Sequence, residues 1–165
     1  MNFMVGQSGG PTAVINASLA GVFETARDSG AGRVLGMQHG IEGLLKGQVA
    51  DLNRLFDSDL SIELLKRTPS SYLGSCRYKL PEPVAGDEVY ETLFELFARH
   101  RIDAVLYIGG NDSMDTIAKL AAYGEAVGSP IRFVGVPKTI DNDLVCTDHT
   151  PGFGSAAKYI ATNMK

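Results

Sequence analysis

The sequence predicts a doubly wound α/β fold built on a parallel sheet, on three observations. Short β-rich runs alternate with helical stretches, the strands at residues 104–108 and 131–136 are continuous in apolar residues, and glycines gather where one element gives way to the next. Residues 2–6 form a short apolar strand that ends in the turn Gln7-Ser8-Gly9-Gly10-Pro11. From Thr12 the apolar residues Ile15, Leu19, Val22 and Ala26 recur at helical spacing until Gly30 stops the run. A second strand covers 33–37, a short helix 60–66 and a longer helix 87–101, with Val89, Leu93, Leu96 and Phe97 on one face. A buried strand at 104–108 leads to a helix over 113–123 that Gly124 is expected to stop. Another buried strand spans 131–136, and a last helix begins at Ser155. Between Gly40 and Pro83, Ser, Pro and Gly interrupt any period.

The length of 165 residues suits one well-filled domain. Fifteen basic against 19 acidic residues give a formal charge of -4. That balance argues against a general nucleic-acid binder and a binder of anionic membranes, since neither surface attracts it. A local basic pocket for a small phosphate stays open. No stretch approaches the roughly 18 apolar residues needed to span a bilayer. The first residues, Met1-Asn2-Phe3-Met4-Val5-Gly6, carry no export signal, which points to a cytoplasmic protein. Cys76 and Cys146 are then expected to be reduced thiols rather than one disulfide. The last helix runs to Lys165 without a capping residue, so a truncated chain is expected.

Three segments share one grammar of buried strand followed by a Gly- or Asp-containing loop: 3–10, 105–112 and 133–143. In a doubly wound sheet such loops emerge at the carboxyl ends of parallel strands, where ligands bind at the topological switch point. Ser8-Gly9-Gly10 precedes a helix, so its backbone N–H groups suit an anion, although a plain strand-to-helix turn explains it equally. Its order is neither G-x-G-x-x-G nor a P-loop, which disfavours a dinucleotide site and a P-loop NTPase. The segment Val136-Pro137-Lys138-Thr139-Ile140-Asp141-Asn142-Asp143 sets a cation, a hydroxyl and two carboxylates within a few residues. Phosphoryl transfer needs such a cation on the moving group and a carboxylate to take the acceptor proton. The competing reading is a solvated polar turn.

Gly9-Gly10-Pro11-Thr12-Ala13-Val14-Ile15-Asn16, Gly109-Gly110-Asn111-Asp112-Ser113 and the run from Pro137 to Asp143 together resemble the phosphofructokinase family. Gly74-Ser75-Cys76-Arg77-Tyr78 and Thr147-Asp148-His149-Thr150-Pro151-Gly152-Phe153-Gly154 extend the resemblance over essentially the whole chain. The resemblance implies a Rossmann-like amino-terminal, phosphoryl-donor-binding domain over 1–165, without the second, sugar-phosphate domain. It further implies transfer to fructose 6-phosphate, Mg²⁺ as cofactor and a homo-oligomer. Carried over residue by residue, it gives Asp141 as base, Lys138 and Asp112 as further catalytic groups, and Gly9, Gly10 and Arg77 as diphosphate contacts. Thr139, Ile140 and Asp141 would face the acceptor, with Asn111 and Asp143 as metal ligands. The family commonly has Asp at the place of Asn111, and Asn keeps an oxygen ligand while losing the charge.

Two positions separate the donors within that resemblance. The ATP-using branch has Gly where this chain has Asp112 and Gly where it has Lys138, so the sequence is similar to the pyrophosphate-dependent branch. A carboxylate at Asp112 would fill the space of a nucleotide's innermost phosphate and repel its charge, while Lys138 supplies a cation to a smaller donor. Ile41 stands where the ATP branch commonly has an aromatic residue beside the base. The same chemistry with ATP, and a non-catalytic sugar-phosphate or nucleotide-binding regulator, are the alternatives.

Overall fold

The computed structural model describes residues 1–164, so Lys165 lies outside it. The elements run β1 (Asn2–Gln7), α1 (Ala13–Asp28), β2 (Arg33–Met37), α2 (Gly40–Leu45), β3 (Val49–Asp51), α3 (Leu52–Leu55), α4 (Asp59–Arg67), α5 (Glu88–Arg99), β4 (Ala104–Gly109), α6 (Asn111–Ala126), β5 (Arg132–Pro137) and α7 (Phe153–Asn163). One sheet has the order β3-β2-β1-β4-β5. β1 pairs in parallel with both β2 and β4, and β4 pairs in parallel with β5. Chain order therefore reverses between β1 and β4, which opens a crevice beyond their carboxyl ends. Among the described residues no helix is long and apolar enough to cross a membrane.

The period of two along β1 sorts its side chains between two cores. Met4 packs with Leu35, Val105, Tyr90 and Phe97 on the α5–α6 side, whereas Val5 packs with Val34, Ile108, Leu19 and Phe23 on the α1 side. The helix ends are fixed by local chemistry. Asp87 caps α5 by accepting from the Val89 N–H at 2.9 Å, and Ser58 with Ser61 forms a capping box on α4.

Three sequence expectations change. The sheet is not wholly parallel, because the three-residue β3 pairs antiparallel with β2 inside the stretch where no period was legible. Gly124 does not stop α6, which continues to Ala126. It lies instead against Phe133 and Phe94, where a Cβ would sit 3.0 Å from the Phe133 ring. The strand expected at 131–136 is not buried throughout: β5 is an edge strand, and Val134 is 47% exposed. Ile41 belongs to the core, fully buried, with its N–H on the Tyr107 hydroxyl.

A buried polar staple sets the carboxyl end of β1. The fully buried Gln7 donates from Nε2 to the Ile15 carbonyl at 3.1 Å and to Asn16 Oδ1 at 3.2 Å. Its Oε1 accepts from the Leu73 N–H at 2.8 Å and the Ser71 hydroxyl at 3.0 Å. Asn16 in turn accepts from the Tyr72 N–H and donates to the Thr68 carbonyl, both at 2.8 Å. Replacing Gln7 by Leu keeps much of the volume and orphans these partners. The Gln7→Leu variant should lose roughly 2–4 kcal/mol of unfolding free energy, several unsatisfied buried groups' worth. Urea denaturation followed by circular dichroism measures it, and a loss below about 0.5 kcal/mol would show the staple to be dispensable.

Candidate active site

Three loops meet beyond the carboxyl edge of β1 and β4 and enclose a cleft of about 250 Å³. One is the Ser8–Gly9–Gly10 turn after β1, the second is the extended segment through Cys76, Arg77 and Tyr78, and the third is the start of α6 from Gly110 to Ser113. Backbone hydrogen bonds lock them together: the Ser8 N–H donates to the Ile108 carbonyl at 3.0 Å, and the Gly9 N–H to the Cys76 carbonyl at 3.4 Å. The Ser75 hydroxyl closes the same corner on the Gly9 carbonyl at 2.6 Å. Gly9 has φ of 78°, a left-handed conformation that favours glycine. At Gly109 the requirement is space, since a Cβ there would strike the Ser113 hydroxyl and the Ser8 carbonyl.

Below the glycines lie two buried hydroxyls, Ser8 and Ser113, joined at 2.9 Å. Sequence reasoning quoted both within motifs but gave neither a role, and only their meeting across the loops singles them out. α6 begins at the cleft with Gly110 as its N-cap, so no side chain covers its first amide groups. Partial positive charge at that end favours an anion.

Arg77 is exposed at the cleft wall and forms no ion pair among the described residues. Asp112 also lines the cleft, and its carboxylate meets Lys79 at 3.4 Å. Lys138 follows β5 with its N–H held by the Gly109 carbonyl at 2.8 Å. The residue is buried, and its ammonium donates to the Gly10 carbonyl. Burial pushes its pKa below the ordinary lysine value, while the nearby Asp141 opposes the shift.

The loop after Lys138 is held by its own polar groups. The Asp141 N–H donates to Thr139 Oγ1 at 3.1 Å, and that hydroxyl approaches Asp141 Oδ2 at 3.4 Å. Thr139 donates its N–H to the Pro151 carbonyl at 2.9 Å, and the Asn142 amide oxygen accepts from the Thr150 N–H at 2.9 Å. Asp141 is thereby presented to solvent on an anchored hydroxyl. The structure thus gathers Gly9, Gly10, Arg77, Asn111 and Asp112 around one cleft, and Lys138 reaches it only through its hydrogen bond to the carbonyl of Gly10. Five expected site residues do not line that cleft: Lys138, Thr139, Ile140, Asp141 and Asp143. Ile140 lines a separate apolar cavity with Pro11, Tyr159 and Ile160, and Asp143 is an exposed loop carboxylate that does not line the cleft. Cys76 and Cys146 are both free thiols, as the sequence suggests.

A doubly wound α/β sheet with a glycine-walled, polar cleft at its switch point defines the class of this protein. The chain belongs to the phosphofructokinase family, whose model "Phosphofructokinase" matches residues 2–165. It is 46% identical over 164 residues to a pyrophosphate–fructose 6-phosphate 1-phosphotransferase from Halomonas elongata, covering 98% of this chain and 39% of the relative. A solved pyrophosphate-dependent phosphofructokinase from Nitrosospira multiformis superposes with a TM-score of 0.88 at 48% identity, covering 98% of this chain and 39% of that one. An ATP-dependent 6-phosphofructokinase from Vibrio parahaemolyticus is 36% identical over 153 residues, covering 93% of this chain and 43% of the relative. The chain therefore spans about two fifths of the length of the curated relatives it matches.

The buried ammonium of Lys138 yields a prediction with a defined sign. Its folded pKa is lowered, so between that value and the unfolded value of about 10.4 the unfolded chain binds more protons, and stability rises with pH. Relative to Lys138→Met, the parent chain should gain unfolding free energy as pH climbs from neutrality toward 10. At neutral pH the methionine variant should be at least as stable as the parent. Denaturation curves of both across that range test it, and parallel pH profiles would refute it.

Proposed function

We propose that the parent protein of this chain transfers a phosphoryl group from pyrophosphate to the C1 hydroxyl of fructose 6-phosphate, giving fructose 1,6-bisphosphate and phosphate. Residues 1–165 serve as its phosphoryl-donor domain, and the remaining sugar-phosphate contacts come from the further length that its relatives have. The observation that carries the reading is the meeting of Gly9, Gly10, Arg77 and Asp112 around one small cleft, with Lys138 hydrogen-bonded to Gly10 and Asp141 three residues beyond. The relatives named for pyrophosphate support it at 46% identity, against 36% for the ATP-dependent one.

In this mechanism Gly9 and Gly10 leave room for the diphosphate, and Arg77 neutralises its charge. Asp141 accepts the proton of the acceptor hydroxyl. The alcohol oxygen forms its bond to the transferring phosphorus as the bridging P–O bond breaks, and phosphate leaves. Lys138 stabilises the charge on the equatorial oxygens of the moving group. Thr139 holds Asp141 in place and faces the acceptor. Phosphoanhydride donor and ester product lie close in energy, so the reaction runs in both directions. Asp112 excludes ATP by occupying the region that a nucleotide's innermost phosphate would need.

Asn111 offers an amide oxygen at the cleft, a donor that suits a Mg²⁺ held chiefly by substrate phosphates and water. Asp143 lies off the cleft and fits that role less well. When bound, Mg²⁺ neutralises charge on the diphosphate. The protein acts in glycolysis in the cytoplasm as a homo-oligomer, a reading to which the exposed apolar Tyr159, Ile160 and Val145 lend support.

The base assignment is tested in the full-length protein, where Asp141→Ala should lower kcat by about 10²–10⁴-fold, the usual worth of a positioned base. Turnover within a few-fold of the parent would remove Asp141 from the role. The chain 1–165 alone should show no phosphoryl transfer. For the donor, Asp112→Gly should admit ATP while pyrophosphate activity falls, read as kcat/KM for each donor. If ATP remains as poor a donor as before, exclusion by the Asp112 carboxylate is wrong.

A further inference from the structure

We infer that Lys79 is a specificity-determining residue of the donor cleft: it screens Asp112 while the cleft is empty and turns its charge to the diphosphate when the donor binds. This rests on the pyrophosphate reading above. The segment 76–80 is extended and alternates strictly in burial: Cys76 and Leu80 are buried and Tyr78 packs on the core, while Arg77 and Lys79 are exposed. In an extended chain residues two apart project to the same side. The three anchors therefore hold two cations in register, Arg77 on the cleft wall and Lys79 two residues further along.

Lys79 reaches Asp112, a cleft-lining carboxylate on a different element, at 3.4 Å. Both side chains are about three-quarters exposed, at 73% and 75%, and a pair so exposed adds little to folding. Its effect falls on the ligand. A diphosphate entering beside Arg77 and Lys138 meets the negative charge of Asp112, the same charge that would exclude a nucleotide. Lys79 is long and free enough to offset that repulsion for a small anion without filling the cleft. Donor selectivity then depends on the balance of Lys79 and Asp112 rather than on Asp112 alone.

Equilibrium dialysis of radiolabelled pyrophosphate against the chain tests this, using Lys79→Ala, Lys79→Arg, Asp112→Asn and the Lys79→Ala/Asp112→Asn double variant. Lys79→Ala should weaken pyrophosphate binding by about 5- to 30-fold, between the effects of an exposed ion pair and of a charged hydrogen bond. Lys79→Arg should restore it to within a few-fold. In the Asp112→Asn background the same alanine should cost distinctly less, because the charge it screened is gone. The thermal midpoint of Lys79→Ala should stay within about 2 °C of the parent, as expected for an exposed pair. Undiminished binding by Lys79→Ala, or an equal loss in both backgrounds, overturns the assignment. Failure of the unmodified chain to bind pyrophosphate is a separate result: it retires the donor reading of the cleft, and this role with it.

Discussion

The arrangement around the cleft depends on the burial of one amide side chain. Gln7 ends β1 in a place with no solvent, and an unsatisfied amide there would cost about 1–3 kcal/mol for each orphaned group. Its polar atoms can be satisfied only if α1 begins where it does and the segment 71–73 passes alongside. Asn16 repeats the requirement from the helix side by holding Thr68 and Tyr72. Two side chains thus fix the exit of β1, the entry of α1 and the approach of the segment that carries Arg77. A core of aliphatic residues tolerates small slips, but a hydrogen-bonded network of this kind has one geometry.

With the loops placed, the character of the cleft follows from what is missing as much as from what is present. Glycine at 109 removes a Cβ that would strike the neighbouring loop, its space taken by the Ser113 hydroxyl, and glycine at 9 allows the left-handed turn. Positive charge then enters at two depths. Arg77 stands at the exposed wall, where water screens it, and Lys138 lies buried, where its ammonium loses hydration and finds the Gly10 carbonyl instead. A buried cation with a weakened hold on its proton interacts more strongly with an arriving anion than a surface lysine does, because little solvent intervenes.

Much of the chain was legible because periodicity reports burial. Continuous apolar runs located β4, alternating helical spacing located α1 and α5, and both motif-bearing loops lie where the strand ends predicted them. Between Gly40 and Pro83 only α4 was legible, because α2, β3 and α3 are each six residues or shorter and their residues are chosen by contacts with β2 and α5. Gly124 was misread for a related reason. A glycine near a helix end signals a stop only when its backbone needs it, and here an aromatic cluster needs its missing side chain.

The sequence alone determined the α/β class, the family resemblance and the residue types at the cleft, since each is written in local pattern or in a contiguous motif. It could not decide which motif residues face one another. Ile140 shares a motif with Lys138 and Asp141 but lines a separate apolar cavity, while Ser8 meets Ser113 and Lys79 meets Asp112 across more than 30 residues of chain. Those pairings arise from parallel strands that bring distant loops to one edge of the sheet. Distance along the chain carries no information about them, and only the tertiary structure sets them.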